Sequence, residues 1–222
     1  MRIADVVDTV LSLPNTLRVN FKYFKFSDAI KLPIKVSRNV ILKELNGTLK
    51  VEAKLKRGMI KIGYGNIDIF DKNKSKSIFK NNGNIVFNGS SIIGHGVKIN
   101  VNKNAELILG DKFGITAKSS IICNKKITFG DGCLVSWNCL FMDTDFHRIY
   151  NYQGEITNLD EEIVIEDNVW IGCGCTILKG IHIGQGSVIA ANSNVTKSFI
   201  NEECIIGGNP ARVVKEKISW KM

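Results

Sequence analysis

The chain has 222 residues, of which 44% are hydrophobic and 23% charged, a composition that is ordinary for one substantial globular domain. No apolar run approaches the roughly 20 residues that a transmembrane helix needs. The stretch from Met1 to Leu13 lacks a basic leader followed by an apolar core and a small-residue cleavage site, so we expect a cytoplasmic protein.

The net charge of +9 is concentrated in the first part of the chain. Residues 1–80 carry 17 Lys or Arg against 7 Asp or Glu, whereas residues 81–222 carry 13 against 14. Such a basic region could approach an acidic glycan, a membrane surface or nucleic acid, although a solvated lysine-rich face is the plainer explanation. Because no nucleic-acid-binding module is recognisable, no nucleic acid partner is expected, and peripheral proximity to a membrane is left open.

The N-terminal elements are predicted first. Apolar residues at helical spacing predict a short helix from Ile3 to Leu11, and Pro14 is expected to end it. Because the helix is short and carries two aspartates, packing against the body of the protein is favoured over a position on a membrane. Residues 17–70 alternate apolar and polar in bursts that predict short strands, and residues 71–80 are predicted to form an exposed lysine-rich loop.

Farther along the chain an aliphatic residue recurs at every sixth position, at Ile165, Ile171, Ile177, Ile183, Ile189 and Val195. Comparable runs begin near Phe87. Residues that are six positions apart do not lie on one face of an α-helix or of a coiled coil. It is typical of very short strands stacked rung on rung in a coil, with turn-forming residues at the corners.

The period stops at Phe141 and resumes at Ile163, which leaves a long loop of polar and aromatic residues. A loop of this length in a compact coil is usually functional. The predicted organisation is an N-terminal helix and lead-in over 1–33, a coil over 34–213 with an inserted loop over 142–162, and a tail over 214–222.

The six cysteines are predicted to be reduced thiols rather than a disulfide framework. Small residues share the fifth position of the hexads, namely Cys133, Cys139, Cys175, Ser119, Ser187 and Ser193. That position is therefore expected to be buried and tightly packed. Cys173 lies on the opposite strand face from Cys175, so no metal site is expected there or elsewhere.

Two strings resemble the hexapeptide-repeat acyltransferases, among them bacterial polysaccharide, maltose and galactoside O-acetyltransferases. They are Ile165-Glu-Asp-Asn-Val-Trp-Ile-Gly and Ile206-Gly-Gly-Asn-Pro-Ala-Arg-Val-Val, supported by the hexads from Ile177 and Ser187. The resemblance is strongest over residues 129–213. It implies an all-β fold, a left-handed parallel β-helix of triangular cross-section, and the handedness comes from the family because parallel crossovers are otherwise right-handed. It also implies acetyl transfer from acetyl-CoA, usually in a homotrimer with active sites between subunits.

The resemblance implies which residues act. His147, in the inserted loop, corresponds to the family's catalytic histidine, and imidazole suits a general base near neutral pH. Asp143 or Asp145 could hold its tautomer, although related enzymes sometimes use a backbone carbonyl instead. His95 and His182 lie in regular coils, where corner or surface positions without catalytic function are expected.

The amide of Cys173 matches the family's hydrogen-bond donor to the thioester oxygen, whereas a covalent acyl-cysteine is the less favoured alternative. Lys197 and Arg212 match basic positions that meet the phosphates of CoA. The full set of cofactor-binding positions that the resemblance implies is Trp170, Gly172, Ala191, Thr196, Lys197 and Arg212.

The predicted function is acetyl-CoA-dependent O-acetylation of a sugar hydroxyl by direct transfer, in bacterial surface polysaccharide biosynthesis. N-acetylation of an amino sugar or a nucleotide-linked sugar is the alternative. A metalloenzyme of the γ-carbonic anhydrase type would need two histidines close together, and the wide spacing of His95, His147 and His182 argues against it. A non-catalytic scaffold is disfavoured by the loop histidine and the C-terminal basic motifs.

Overall fold

The structure is a computed structural model that describes residues 3–221, with side chains described from residue 7 onward. It contains two helices, α1 (Ile3–Tyr23) and α2 (Phe26–Ala29). The strands follow in chain order: β1 (Ile34–Val36), β2 (Val40–Leu45), β3 (Thr48–Val51), β4 (Ile60–Tyr64), β5 (Ser77–Asn81), β6 (Asn84–Phe87), β7 (Ser91–His95), β8 (Lys98–Val101), β9 (Glu106–Leu109), β10 (Phe113–Ala117), β11 (Ser120–Cys123), β12 (Lys126–Phe129), β13 (Leu134–Val135), β14 (Leu140–Met142), β15 (Ile163–Ile165), β16 (Trp170–Ile171), β17 (Thr176–Leu178), β18 (His182–Ile183), β19 (Val188–Ile189), β20 (Asn194–Val195), β21 (Ile205–Gly208) and β22 (Ala211–Lys215).

These strands form three sheets that run along the coil, and each turn of the coil adds one strand to each sheet. Sheet A contains β1, β4, β7, β10, β13, β16, β19, β21 and β22; sheet B contains β2, β5, β8, β11, β14, β17 and β20; sheet C contains β3, β6, β9, β12, β15 and β18. Neighbouring strands pair in parallel, except that β22 turns back antiparallel to β21. The predicted left-handed parallel β-helix is confirmed.

The core is a column of side chains inside this triangular coil. All six aliphatic residues that define the hexad, Ile165 to Val195, are completely buried. Below them Phe113, Phe129 and Phe141 stack with ring centroids 4.8 and 4.9 Å apart. Because each rung shares its apolar surface with the rungs above and below, burial is collective and no single turn could be stable alone.

The fifth hexad position is buried as predicted. Cys133, Cys139 and Cys175 are at most 2% exposed, and so are the serines that occupy the same position elsewhere. The six cysteines are all unpaired, and burial raises the pKa of Cys133 to about 12. These thiols are therefore compact packing groups, whereas Cys173 is partly exposed.

The predicted N-terminal helix is present and packs against the body of the protein, but it extends well beyond its predicted end at Leu11. Helix α1 continues through Pro14 to Tyr23, so that residues 17–23 are helical rather than extended. The side that packs against the coil is mostly polar, with Ser12, Thr16 and Asn20 buried beside Val19, whereas Val7, Val10 and Leu11 are about half exposed. A proline inside a helix removes one backbone hydrogen bond. Here, tertiary hydrogen bonds from the polar side of α1 to the coil on either side of Pro14 support the helix through this position. Ile3 and Val6, which also belong to the predicted apolar pattern, lie outside the described side chains.

The predicted exposed loop over 71–80 is only half correct. Residues 71–74 are exposed, but the chain then enters β5, where Ser77, Phe79 and Asn81 point inward and are buried. The lysines that alternate with them face outward and conceal the period of two in this stretch of sequence. Neither helix in the described part of the chain has the length and hydropathy that a transmembrane span requires.

Candidate functional site

The segment that interrupts the hexads joins β14 in sheet B to β15 in sheet C and has its own structure. Its outer part is a small antiparallel hairpin in which Tyr150 pairs with Ile156. The amide of Asn151 donates to the carbonyl of Glu155 at 3.0 Å, and that of Thr157 donates to Ile149 at 2.9 Å. His147 lies just before this hairpin, so its backbone position is set by an ordered loop.

The His147 side chain is exposed, and only its backbone is held. Its amide donates to the carbonyl of Asp145 at 2.7 Å, and its own carbonyl accepts from the side chain of Asn158 at 2.8 Å. Within residues 3–221 no side chain is hydrogen-bonded to the imidazole. Both ring nitrogens are thus free to exchange a proton with a substrate.

Asn158 anchors the His147 segment, and no sequence pattern predicted this function. This side chain is 8% exposed and makes three hydrogen bonds. Its amide nitrogen donates to the Asp145 carboxylate at 2.9 Å and to the His147 carbonyl, and its oxygen accepts from the Ile149 amide at 2.7 Å. One side chain therefore fixes the loop before, at and after the histidine.

Asp145 ties the loop to the next turn of the coil. Its carboxylate accepts from Nζ of Lys179 at 2.5 Å, and Lys179 directly follows β17. The ammonium group of Lys179, together with the amide of Asn158, lowers the pKa of Asp145. The Asp145 carboxylate is therefore bound by Lys179 and Asn158 at the base of the loop.

Asp143, by contrast, is completely buried and closes the turn between β11 and β12. Its two oxygens accept from the backbone amides of Asn124 at 2.6 Å and of Lys125 at 2.9 Å. Neither this carboxylate nor that of Asp145 contacts the imidazole within the described chain. That an aspartate orients His147 therefore stays a prediction.

Asp160 is a second anchor that sequence reasoning missed. Its carboxylate binds the guanidinium of Arg148 at 2.9 and 3.2 Å and also accepts from Thr144 and Asn124. These partners, the Arg148 guanidinium first among them, lower the pKa of Asp160 to about 2. Thr144 and Arg148 flank the His147 segment, so the carboxylate holds both ends of it.

Cys173 lies at the corner where sheet A passes into sheet B. The amides on either side of it are bonded, that of Gly172 to the carbonyl of Ile189 and that of Gly174 to the carbonyl of Trp137. The Cys173 amide itself donates to no protein acceptor in the described part of the chain. It is available as a donor to an oxyanion, as the prediction requires.

The neighbouring rungs present the same kind of free backbone amide at this corner, so that these amides form a column along the coil. The amides of Trp137 and Ala191 occupy the equivalent corner positions and, among the described residues, also lack a protein acceptor. A Cβ on Gly172 would lie 2.7 Å from the Ala191 nitrogen, so only glycine allows these rungs to approach so closely. Trp170 precedes the corner, is 38% exposed and lies 6.0 Å from the ring of Trp220 in the C-terminal segment.

The basic positions lie toward the C-terminal end of the coil, Lys197 at the corner between sheets B and C and Arg212 on β22 of sheet A. Thr196 and Lys197 follow β20 and are exposed, and Arg212 lies exposed on β22. Neither cation has an acidic partner among the side chains of residues 7–221. Both are available to a phosphate.

The structure therefore brings the predicted residues together in two groups. Trp170, Gly172, Cys173 and Ala191 share the corner between sheets A and B, whereas the His147 loop leaves the corner between sheets B and C. Lys179, which binds the loop, is six residues after Cys173. At about 3.3 Å per extended residue the two corners are roughly 15–20 Å apart within one chain.

Of the other two histidines, His182 lies on β18 in sheet C, and His95 lies at the corner between sheets A and B, three turns of the coil before Cys173. His182 is partly exposed and binds the Glu166 carboxylate through Nε2 at 2.6 Å. His95 ends β7 but is buried, with Phe70 packed edge-on at 6.3 Å, and this burial lowers the pKa of His95. Among the described residues, no His, Cys, Asp and Glu side chains cluster as ligands of a metal ion.

Comparisons with known proteins agree with this architecture. Residues 162–197 match the family model described as bacterial transferase hexapeptide (six repeats). An uncharacterised 24.8 kDa protein of the cps region of Klebsiella pneumoniae is 31% identical over 161 residues, which cover 72% of this chain and 70% of that protein. The polysialic acid O-acetyltransferase of Escherichia coli O1:K1 is 31% identical over 120 residues, 53% of this chain but 39% of that enzyme. The crystal structure of the polySia-specific acetyltransferase NeuO superimposes with a TM-score of 0.64 at 25% identity and covers 85% of this chain and 79% of that one.

Proposed function

Since the chain belongs to the hexapeptide-repeat acetyltransferase family, we propose that it transfers the acetyl group of acetyl-CoA to a hydroxyl of a sugar in a bacterial surface polysaccharide. The observation that carries the proposal is His147, whose imidazole is free on a loop that the chain anchors with buried side chains. The acceptor class is supported by the names of the relatives, which include O-acetyltransferases of polysialic acid and of galactosides.

In the proposed reaction, His147 removes the proton from the sugar hydroxyl as the oxygen attacks the thioester carbonyl. The carbonyl oxygen becomes negatively charged and accepts a hydrogen bond from the Cys173 amide. Collapse of the tetrahedral intermediate breaks the carbon–sulfur bond, and the imidazolium returns its proton to the departing thiolate. The Cys173 thiol takes no part, because the amide supplies the stabilisation.

The corner column supports a binding mode for acetyl-CoA. The free Ala191 amide and the side of Trp170 suit the pantetheine arm, which carries amide carbonyls and apolar segments. Lys197 and Arg212, which lack an acidic partner among the described side chains, suit its phosphates, with Thr196 next to Lys197. We propose these residues as the acetyl-CoA site and place the reaction in the cytoplasm, with which six unpaired thiols are compatible.

The separation of the two groups supports an active site that is shared between subunits. His147 of one chain would meet the Cys173 corner of a second, which a homotrimer achieves by closed symmetry. The loop also exposes several large apolar side chains to solvent, and these would be covered in such a contact: Phe146, Ile149, Tyr150, Tyr152 and Leu159. Tyr152 in particular is completely exposed in the single chain.

The proposal is tested by incubating the purified chain with acetyl-CoA and candidate bacterial glycans while following the release of free thiol. His147→Ala should lower kcat/KM about 10²- to 10⁴-fold, the usual contribution of a general base. His182→Ala is the matched control, since this histidine is also partly exposed but lies in a regular turn of the coil. Full activity of His147→Ala, or an equal loss in both variants, would rule out the proposed function of His147.

A further inference from the structure

Helix α1 buries a mostly polar side, which also contains the completely buried Val19, and leaves an apolar side facing solvent. The polar side lies on β1, the first strand of sheet A, and also contacts β2 and β3. Since a coil ends in strands whose outer edge has no further rung, the backbone groups of β1 need partners from elsewhere. Helix α1 covers this open end.

The side chains that supply those partners are short and polar. Asn20 donates to the Ile34 carbonyl at 2.7 Å and accepts from the Ile34 amide at 3.2 Å. Thr16 does the same with Val36, donating at 3.2 Å and accepting at 3.0 Å. Ser12 accepts from the amide of Arg38. The open edge of the coil therefore requires polar side chains on the buried side of α1, where they lie beside Val19, and this requirement explains only that side.

The outer side of α1 carries an apolar stripe, which is not needed to cover the open end of the coil. Val7, Val10, Leu17 and Phe21 recur at helical spacing and are 42–56% exposed, and Leu11 and Leu13 flank them. Phe26 packs against Phe21 at 5.9 Å and, at 72% exposed, extends the stripe beyond the end of the helix. A contiguous exposed apolar surface of this kind marks an interaction site.

Basic residues border the stripe. Arg18 and Lys22 each directly follow a stripe residue, and Lys25 lies just beyond the helix; all three are exposed. Within the described chain none of them has an acidic partner, whereas the nearby Asp8 and Asp28 are paired with Arg38 and Lys31. We propose that α1 is a membrane-surface anchor, which inserts its stripe into the interface of an anionic bilayer while these cations bind lipid headgroups.

A bilayer fits this surface better than a second copy of the chain. Packing one stripe on another would bring Arg18 and Lys22 of both copies together, and neither cation has an acidic partner among the described side chains. An anionic membrane satisfies the apolar stripe and the cations at once. Helix α1 is about 30 Å long and lies across the open end of the coil. It can therefore lie flat on a membrane while it still covers that end.

Vesicle flotation of the full chain tests this inference independently of acetyl transfer. The protein should float with vesicles of phosphatidylcholine and phosphatidylglycerol and far less with phosphatidylcholine alone. The combined Leu17→Ser and Phe21→Ser substitutions should weaken partitioning about tenfold per residue. Arg18→Gln and Lys22→Gln should each weaken it about fivefold, and added salt should remove this difference.

Ile69→Ser is the matched control, because Ile69 is 67% exposed but lies on the loop between β4 and β5 and is not part of the stripe, so its loss should leave flotation unchanged. Thermal melting of every variant checks that the cap is intact. The inference is overturned if the wild-type chain fails to float, or if the Leu17 and Phe21 variant floats equally well. A change in sedimentation mass of that variant in lipid-free buffer would also overturn it, since the stripe would then be a contact between copies.

Discussion

Replacing Asn158 with alanine should reduce turnover without unfolding the protein. The substitution removes three hydrogen bonds, to Asp145, His147 and Ile149, from a buried side chain. At about 0.5–1.5 kcal/mol for each bond, the loop should lose about 2–4 kcal/mol of local stability. Such a loss raises the equilibrium constant for opening of the loop about 30- to 1000-fold. Because the coil does not depend on these bonds, the melting temperature of the domain should change little.

The assay is steady-state acetyl transfer combined with amide hydrogen exchange. We expect kcat to fall at least about tenfold with the KM for acetyl-CoA nearly constant, since positioning of the base is lost and the corner that binds CoA is intact. The Ile149 amide should exchange faster. Asn151→Ala is the matched control: Asn151 also makes three side-chain hydrogen bonds, all within the hairpin tip. Equal kcat losses in the two variants would refute the positioning function of Asn158.

Three further outcomes are expected. Cys173→Ala should keep kcat within about twofold because the backbone amide, and not the thiol, stabilises the oxyanion; a loss above about a hundredfold would instead favour an acyl-cysteine. The Arg148 guanidinium lowers the pKa of Asp160 to about 2 in the folded protein. The Asp160 carboxylate therefore stabilises the loop fully above the pKa of about 4 that an aspartate has in the unfolded chain, and this stabilisation is lost as the pH falls toward 2. The protection of the loop's backbone amides from hydrogen exchange should fall as the pH is lowered from about 4 to about 2. In Asp160→Asn these amides should lack that protection already at neutral pH. Gly94→Ala should destabilise the coil by about 3 kcal/mol or more in urea unfolding, because the new Cβ would lie 1.4 Å from the Thr116 carbonyl oxygen.

The coil was predictable because its physics is local and repeated. Every sixth residue from Ile165 to Val195 must be aliphatic to fill the same column, so the pattern is visible without knowledge of any contact. The interruption before Ile163 was equally visible, and it directed attention to His147. The structure confirms the coil and places the histidine on an ordered loop.

The loop anchors were not predictable, because their partners are distant in the sequence. Asn158 acts on residues 9 to 13 positions earlier, and Asp145 binds Lys179, 34 positions later. No periodic pattern reports such pairs, since each depends on how the chain returns to the coil after the hairpin. A polar stretch that contains Asn and Asp is typical of any loop, and burial alone distinguishes Asn158.

Helix α1 shows why the apolar side of a helix is not always its buried side. Periodicity reveals that a helix has one apolar side, and the usual inference is that this side is buried. That inference assumes that the helix packs on an apolar surface. Here α1 packs on the open edge of β1, whose unpaired amides and carbonyls require hydrogen-bonding side chains such as Thr16 and Asn20. The edge determines which side of the helix is buried, so the apolar stripe is left facing outward, available to the membrane surface that we propose it binds.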